Sequence, residues 1–579
     1  MTEVGCVSGI SEEEIQALLA SGSFDAQWYQ QEYPDVAMTG LSPEEHFLWI
    51  GRVLNRAGCP GPPASPSPLN WCVMTTRHTL FLAKMIASNL RRHGWTAEVM
   101  TETPGNFSHD FYIVLCPQMF EHLPPGERRI CYQLEQSVSS RWFTQDYLNT
   151  LEDSAAVLDY SLTNIEFLSK KGISYPHVFH LPIGARQNPE ISQPCDKEYD
   201  LLFYGDYKSS PRRRRFIEAI QDKYNLKIVD EVFGDEIHDL IRRARFVLNL
   251  HYYEGALLEM PRIQECLSLG TPVISEATSD SIDYPDLKDA VTFFDEDSVE
   301  DMERVIALAF AKEKNADGVR ASAASSQRHF EFMFDRFLLA RDLLPLWKLD
   351  DVQLPNVFDS RMVSLSLPET VRRRRMFEAE EIDGCAIFDG MRKAPGWIGC
   401  GMSYKVLCAE ALRRGKEQLV IIEDDVDLDQ QFERNFAAVS RYLRTIPGEW
   451  DVFSGVIASL HDEAKISNVA RFEGIDFVTI DKMTSMVFNI YNRKAMELIA
   501  HWSPLNTHVE TNAIDRYLEH ADLRVVVAHP YIAGHRTEVH STLWNFQNTQ
   551  YVDMIDESED RLGRLKAAWL AEHPTALVA

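Results

Sequence analysis

Glu423, Asp424, Asp425 and Asp427 crowd into five consecutive positions of QLVIIEDDVDLD (418–429), directly behind the apolar run Leu419–Ile422. Like charges this close repel one another, so either water solvates them all or a cation sits among them. Asp and Glu supply 87 of the 579 residues, and roughly one run of this density is expected by chance in such a chain. Position carries the information. In an open α/β sheet, ligands bind beyond the carboxyl ends of the strands, and a buried strand ending in acids delivers carboxylates there. That chemistry suits a hard divalent cation, Mg²⁺ or Mn²⁺, which takes oxygen ligands and shares substrate phosphates.

Arginine runs occupy 212–215 and 372–375, each opening a helix shortly after a strand. Ser210 and Pro211 read as an N-cap and first-turn pair. Helix N-termini bind phosphates, and arginine adds paired donors. Four consecutive residues sweep more than one turn, so only one or two of them can face a ligand. Arg372 and Arg375 are the candidates in the second run, and the others read as solvated charge.

The elements behind these residues alternate. After the Pro-rich stretch CPGPPASPSP (59–68), a stiff linker, strand signals WCVM, AEVM, FYIVL, RICYQL and HVFHL are interleaved with helices. A second series runs YDLLFYGD, LKIVD, RFVLNL and TPVISE. A third begins with RMVSLSL and continues through QLVII, WDVFSGV and DFVTI. Such alternation predicts parallel sheets covered by helices. The organisation expected is a small helical module (1–60), a linker (61–68), two Rossmann-like halves (about 69–190 and 197–350) and a third α/β unit (355–579). The first module's aromatics, in FDAQWYQQEYPDV and SPEEHFLWIGR, read as a mini-core, or more sharply as a docking or acceptor-binding module.

Lys and Arg total 58, for a net charge of −29. So acidic a surface disfavours nucleic acid as a partner. The ten cysteines form no CxxC pair, and Cys72, Cys116, Cys131 and Cys266 sit in apolar segments, as reduced buried thiols do. No signal peptide or spanning stretch is evident. The expectation is a cytoplasmic protein, at most in peripheral contact with the inner face of the cytoplasmic membrane. Nothing in the sequence sets the oligomeric state.

GWIGCGMSYKVLCAEALRRGKEQLVIIEDDVDL (396–428) resembles the central signature of glycosyltransferase family 25, which includes lipopolysaccharide and collagen galactosyltransferases. VSLSLPETVRRRRMFE, IFDG, MVFNIYNRKAMELI and TNAIDRYLEHADLRVVVAHPYIAGHRTEVHST follow the family's order, so the likeness covers about 355–545. The family's Ser-His is Ser403-Tyr404 here, the opening strand lacks its acid, and the segment between Asp389 and Gly399 is short. The resemblance implies a GT-A fold, a nucleotide-sugar donor such as UDP-galactose or UDP-glucose, Mn²⁺ (or Mg²⁺) and a single inverting displacement. By analogy Asp425 is the first metal ligand and Asp427 the alternative, with His535 and His540 able to complete the site. Glu423 meets the ribose or the metal shell, and Asp424, Ser403, Arg372 and Arg375 line the donor side. Asp515 is the candidate base and Glu510 the runner-up; both also read as dipole-stabilising acids at a helix start.

RFVLNLHYYEGALLEMPRIQECLSLGTPVISE (245–276) resembles the C-terminal half of a GT-B glycosyltransferase. Glu265 matches the second acid of that group's Glu-x7-Glu motif. The first falls at Leu257, with Glu254 or Glu259 as substitutes. Arg262 and Lys208 are placed to meet a diphosphate, and no metal is implied there. The preferred reading is a GT-B-like pair of domains followed by a GT-A domain, a bifunctional enzyme building a bacterial surface glycan or glycolipid such as lipopolysaccharide or capsule. The alternatives are a GT-A galactosyltransferase carrying a non-catalytic GT-B-like acceptor-binding scaffold, and a non-catalytic glycan-binding protein.

Overall fold

The computed structural model describes residues 10–20, 24–33, 36–39, 41–52, 56, 58, 68–138, 141–186, 195–312, 316–541 and 547–574. Apart from Pro68, the Pro-rich linker lies outside them. The chain divides into two compact units, Met1–Asn70 with Gly94–Thr96, and Trp71–His93 with Ala97–Ala579.

The first unit has short helices at Glu12–Ala20, Ala26–Glu32, Val36–Thr39 and Pro43–His46. They close on Leu18, Phe24, Tyr29 and Val36, with Trp28, Tyr33 and Phe47 packed around them. Local chemistry starts the helices. Asp25 accepts the Trp28 N–H at 2.9 Å, and Ser42 and Glu45 form a reciprocal capping box.

The second unit holds three sheets. The first has strands β1 (Asn70–Met74), β2 (Thr96–Met100), β3 (Phe111–Leu115), β4 (Arg129–Gln133), β5 (Ala156–Asp159) and β6 (Val178–His180), in the order β2-β1-β3-β4-β5-β6. The second has β7 (Tyr199–Tyr204), β8 (Leu226–Val229), β9 (Ala244–Asn249), β10 (Val273–Glu276) and β11 (Val291–Phe294), in the order β11-β10-β9-β7-β8. Neighbours from β1 to β6, and throughout the second sheet, run parallel. Every residue of β4 and β5 is buried, as expected of parallel strands covered on both faces. The fold is therefore mixed α/β with two parallel sheets. The helix Ala316–Ala340 bridges both parallel-sheet regions: near its start Ser325 donates to Asp286, which lies between β10 and β11, at 2.9 Å. Its Phe337 ring sits 5.0 Å from Phe179 of β6, and its Asp335 accepts from Arg92 at 2.8 Å.

The third sheet is mixed. Its strands are β12 (Met362–Ser366), β13 (Cys385–Asp389), β14 (Gln418–Glu423), β16 (Val452–Ser454), β17 (Ile466–Phe472), β18 (Ile475–Ile480), β19 (Phe488–Asn492) and β20 (Val525–His529), in the order β13-β12-β14-β19-β16-β20-β18-β17. β13, β12 and β14 run parallel, and β19 is antiparallel to β14. Beyond the tip of β14, β15 (Val426–Asp427) pairs with β21 (Gly534–His535). That short ribbon sets His535 against the acids.

Candidate functional site

Two cavities carry the charged residues singled out above. The larger, about 470 Å³, opens beyond the tips of β12 and β14, and Glu423, Asp424, Asp425, Arg373, His535 and Asp515 are among the residues lining it. The cation among the carboxylates is an arginine. Arg373 is ion-paired to Asp424 through Nε and to Asp425 Oδ2 through Nη2 at 2.9 Å. Asp424 also accepts from Ser366 Oγ at 2.6 Å. Asp425 Oδ2 further accepts from Asn548 Nδ2 at 3.0 Å and lies 3.1 Å from His535 Nε2.

The charges answer to this arrangement. Burial, reinforced by the Asp425 charge, pushes Glu423 up to about 8. Burial also works to raise Asp425, but Arg373 and then His535 outweigh it and hold that carboxyl well below its usual range. For Asp424 burial wins over Arg373 and the carboxyl is raised. Asp515 is raised by burial, against the Arg516 N–H that donates to its Oδ1 at 2.8 Å.

Of the residues expected here, Glu423, Asp424, Asp425, His535, Asp515, Glu510 and Ser403 line the cavity. Ser403 is committed to the backbone, donating to Gly399 O and accepting from Met391 N, both at 2.8 Å. It fixes the 391–393 loop rather than offering a hydroxyl to a donor. Asp427 and His540 are exposed and do not line the cavity. Neither do the two arginines chosen from the run. Arg372 is exposed, and Arg375 pairs with Asp283 at 2.5 Å and Glu378 at 3.0 Å. Helical phase turns Arg373 inward, and the sequence does not reveal that phase.

A divalent ion can be tested against the donor set. Among the described residues, no group of three or more His, Cys, Asp or Glu side chains converges to hold an ion, so a cage built wholly from protein is not formed. Asp425 Oδ1, however, is buried with no hydrogen-bond partner among the described residues. Mg²⁺-type ions are commonly bound through one or two carboxylates plus substrate phosphates, and Asp425 with Glu423 fits that smaller requirement.

The second cavity, about 330 Å³, is lined by residues of both parallel-sheet regions, including His78, Glu135, Tyr204, Glu259, Arg262 and Glu265. The helix Met260–Ser268 carries Arg262 and Glu265. Arg262 pairs with Glu259 at 2.9 Å, donates to Asn249 Oδ1 at 2.9 Å and lies over the Tyr204 ring. Arg213 holds Glu259 from the other side at 3.1 Å. Burial works to raise Glu259, but Arg262 prevails and the carboxyl falls well below its usual range. Glu265 lies 2.9 Å from His238 Nε2 and 3.4 Å from the Tyr204 hydroxyl. Lys208 and Glu254 are exposed and outside this cavity. Leu257 is fully buried, and its backbone N–H and C=O both bond the Gln136 side chain at 3.0 Å. Arg213, His238 and His78 were not anticipated. Arg213 belongs to a run read as surface charge, and neither histidine sits in a motif.

Residues 190–332 match the sequence model of a family described as glycosyl transferase-like. The chain carries a glycosyl transferase-like domain. No curated protein matches the chain. Similar solved structures include HepE of Anabaena in complex with UDP and glucose, at 11% identity over 48% of this chain and 100% of that one, with TM-score 0.33. Another is sucrose-phosphate synthase of Thermosynechococcus elongatus, at 10% identity, 48% and 99% coverage and TM-score 0.33. A third is AviGT4, a glycosyltransferase involved in avilamycin A biosynthesis, at 14% identity, 48% and 97% coverage and TM-score 0.34. Among the described residues, no helix is long and apolar enough to cross a membrane.

Proposed function

We propose that the protein transfers sugars from nucleotide-sugar donors to a glycan or glycolipid, using both cavities. The glycosyl transferase-like domain supports this for the smaller cavity, and the family-25 resemblance of 355–545 supports it for the larger. The observation that carries the reading is the buried Asp425 Oδ1 just beyond the tip of β14, with no hydrogen-bond partner among the described residues, where open α/β sheets bind ligands.

In the larger cavity, Asp425 and Glu423 would hold a divalent ion arriving with a UDP-sugar, which supplies counter-charge for the leaving diphosphate. Arg373 keeps Asp424 and Asp425 compensated and in place. Asp515, its carboxyl raised by burial, accepts the proton of the attacking acceptor hydroxyl, and Glu510 is the second candidate for that role. The acceptor oxygen bonds the anomeric carbon as the sugar–phosphate bond breaks, in one displacement. In the smaller cavity Arg262 faces the leaving diphosphate and Glu265 accepts from the donor's ribose, with no metal required. A surface glycan such as lipopolysaccharide or capsule is the acceptor class that the resemblance favours. One observation favours a second reading for the smaller cavity, that of a non-catalytic acceptor-binding scaffold: buried Leu257 stands where a donor-holding acid is expected.

The test is UDP release from UDP-galactose and UDP-glucose, with and without Mn²⁺. Asp425→Asn is expected to abolish the metal-dependent rate and Glu265→Ala the metal-independent rate. A Glu265→Ala enzyme that keeps its full rate selects the scaffold reading. Absence of both UDP release and UDP binding in the wild type overturns the proposal.

A further inference from the structure

The larger cavity is not built by the third sheet alone. Tyr175, from the segment entering β6 of the first sheet, is one of its lining residues. A chain of buried ion pairs holds it there. Glu369, just before the helix Val371–Glu378, is fully buried and takes two bonds from fully buried Arg336, at 2.7 and 2.8 Å. It also accepts the backbone N–H of His180 at 2.9 Å and pairs with Arg392 at 3.2 Å. Arg392 donates to Val178 O and Pro176 O, both at 2.6 Å, and its guanidinium lies 4.6 Å from the centre of the Tyr175 ring. The segment 175–180 is thereby locked to the loop 390–393, which also lines the cavity.

The cations in this wall are held by partners within the protein. Arg392 is tied down by Glu369, which it shares with Arg336, and by the carbonyls of Val178 and Pro176, and Lys393 pairs with Asp342. Neither is left for a phosphate. What the wall offers is an aromatic ring held in place by a guanidinium. Aromatic rings bind the flat faces of other rings, nucleobases included. Resting on the reading of this cavity as a nucleotide-sugar site, we propose that Tyr175 is a ligand-binding residue of the larger cavity. It stacks against an uncharged ring, either the nucleobase of the donor or the pyranose of the acceptor. The first parallel-sheet region thus completes the site of the third sheet.

Tyr175→Leu keeps apolar bulk and removes the ring, whereas Tyr175→Phe keeps the ring. Both are compared with wild-type full-length protein at matched Tm. The readouts are UDP binding by calorimetry and transfer to methyl galactoside, methyl glucoside and methyl N-acetylglucosaminide. A roughly tenfold weaker UDP Kd in Tyr175→Leu, restored in Tyr175→Phe, supports the proposal and identifies the nucleobase. An unchanged UDP Kd with a raised acceptor KM and steady kcat supports it and identifies the pyranose. If UDP Kd and acceptor KM stay at wild-type values in Tyr175→Leu, while Asp425→Asn still abolishes the metal-dependent UDP release, the proposal is overturned and the cavity's function stands. If the wild type neither binds nor releases UDP, that reading fails and takes this one with it.

Discussion

Arg373 carries more of the larger cavity's electrostatics than any residue the sequence singled out. It compensates Asp424 and Asp425, and removing one partner of a buried pair strands the others, costing about 3–5 kcal/mol. Arg373→Met is therefore expected to lower unfolding free energy by about 3–5 kcal/mol in urea melts, and to cost more than Arg372→Met, whose side chain is exposed. His180 gives a pH prediction. Burial pulls it down to about 4, while its Nε2 lies 3.2 Å from Tyr160 O. Between that value and the ordinary histidine value of about 6.5, the unfolded chain binds a proton that the folded chain refuses. Stability is thus full above about pH 6.5 and drains away as pH falls toward 4. His180→Gln retains a donor and cannot titrate, so its Tm should fall less steeply over that range. The acid cluster was legible because four carboxylates behind an apolar run are visible in one dimension. Which of four arginines met it was not, because a helix's rotation is set by tertiary packing.

Among the buried strands, those with longer apolar runs, β4, β9 and β14, were read correctly. β17, ISNVARF, was missed because most of its side chains are half-buried or exposed, leaving no apolar run to mark it. β5 (AVLD) and β11 (VTFF), four residues each, were not singled out. The two-residue β15–β21 ribbon leaves no periodic signal, yet it brings His535 to Asp425. The helix Gly396–Arg413 packs where the sequence hints least. A Cβ on Gly401 would overlap the Trp502 ring, so glycine lets that helix sit flush on the indole. Gly401→Ala should destabilise by about 1–3 kcal/mol through overpacking, read as a shifted denaturation midpoint. Gly105→Ala, with nothing within 4 Å of the added carbon, serves as the control.

At the scale of the molecule, contact between the regions was invisible in the sequence, because its members lie far apart along the chain. Residues 355–579 read as a separate domain, yet they share one compact unit with the parallel sheets. Glu369→Gln leaves Arg336 and Arg392 facing each other with their shared carboxylate gone. The expected outcome is a loss of about 3–5 kcal/mol, with a single calorimetric transition splitting into two as the sheets melt apart. His329 beside Asp389 at 2.8 Å, and Arg375 beside Asp283, stitch the same boundary. The return of the helix Ala316–Ala340 to the first sheet brings Arg336 to this boundary. Swapping C-terminal regions between related enzymes at the tempting cut near 350 would transplant Glu369 and Arg392 without their mates. A working chimera would need to inherit Arg336 and the 175–180 segment along with them, so the modules here are exchangeable only as a matched set.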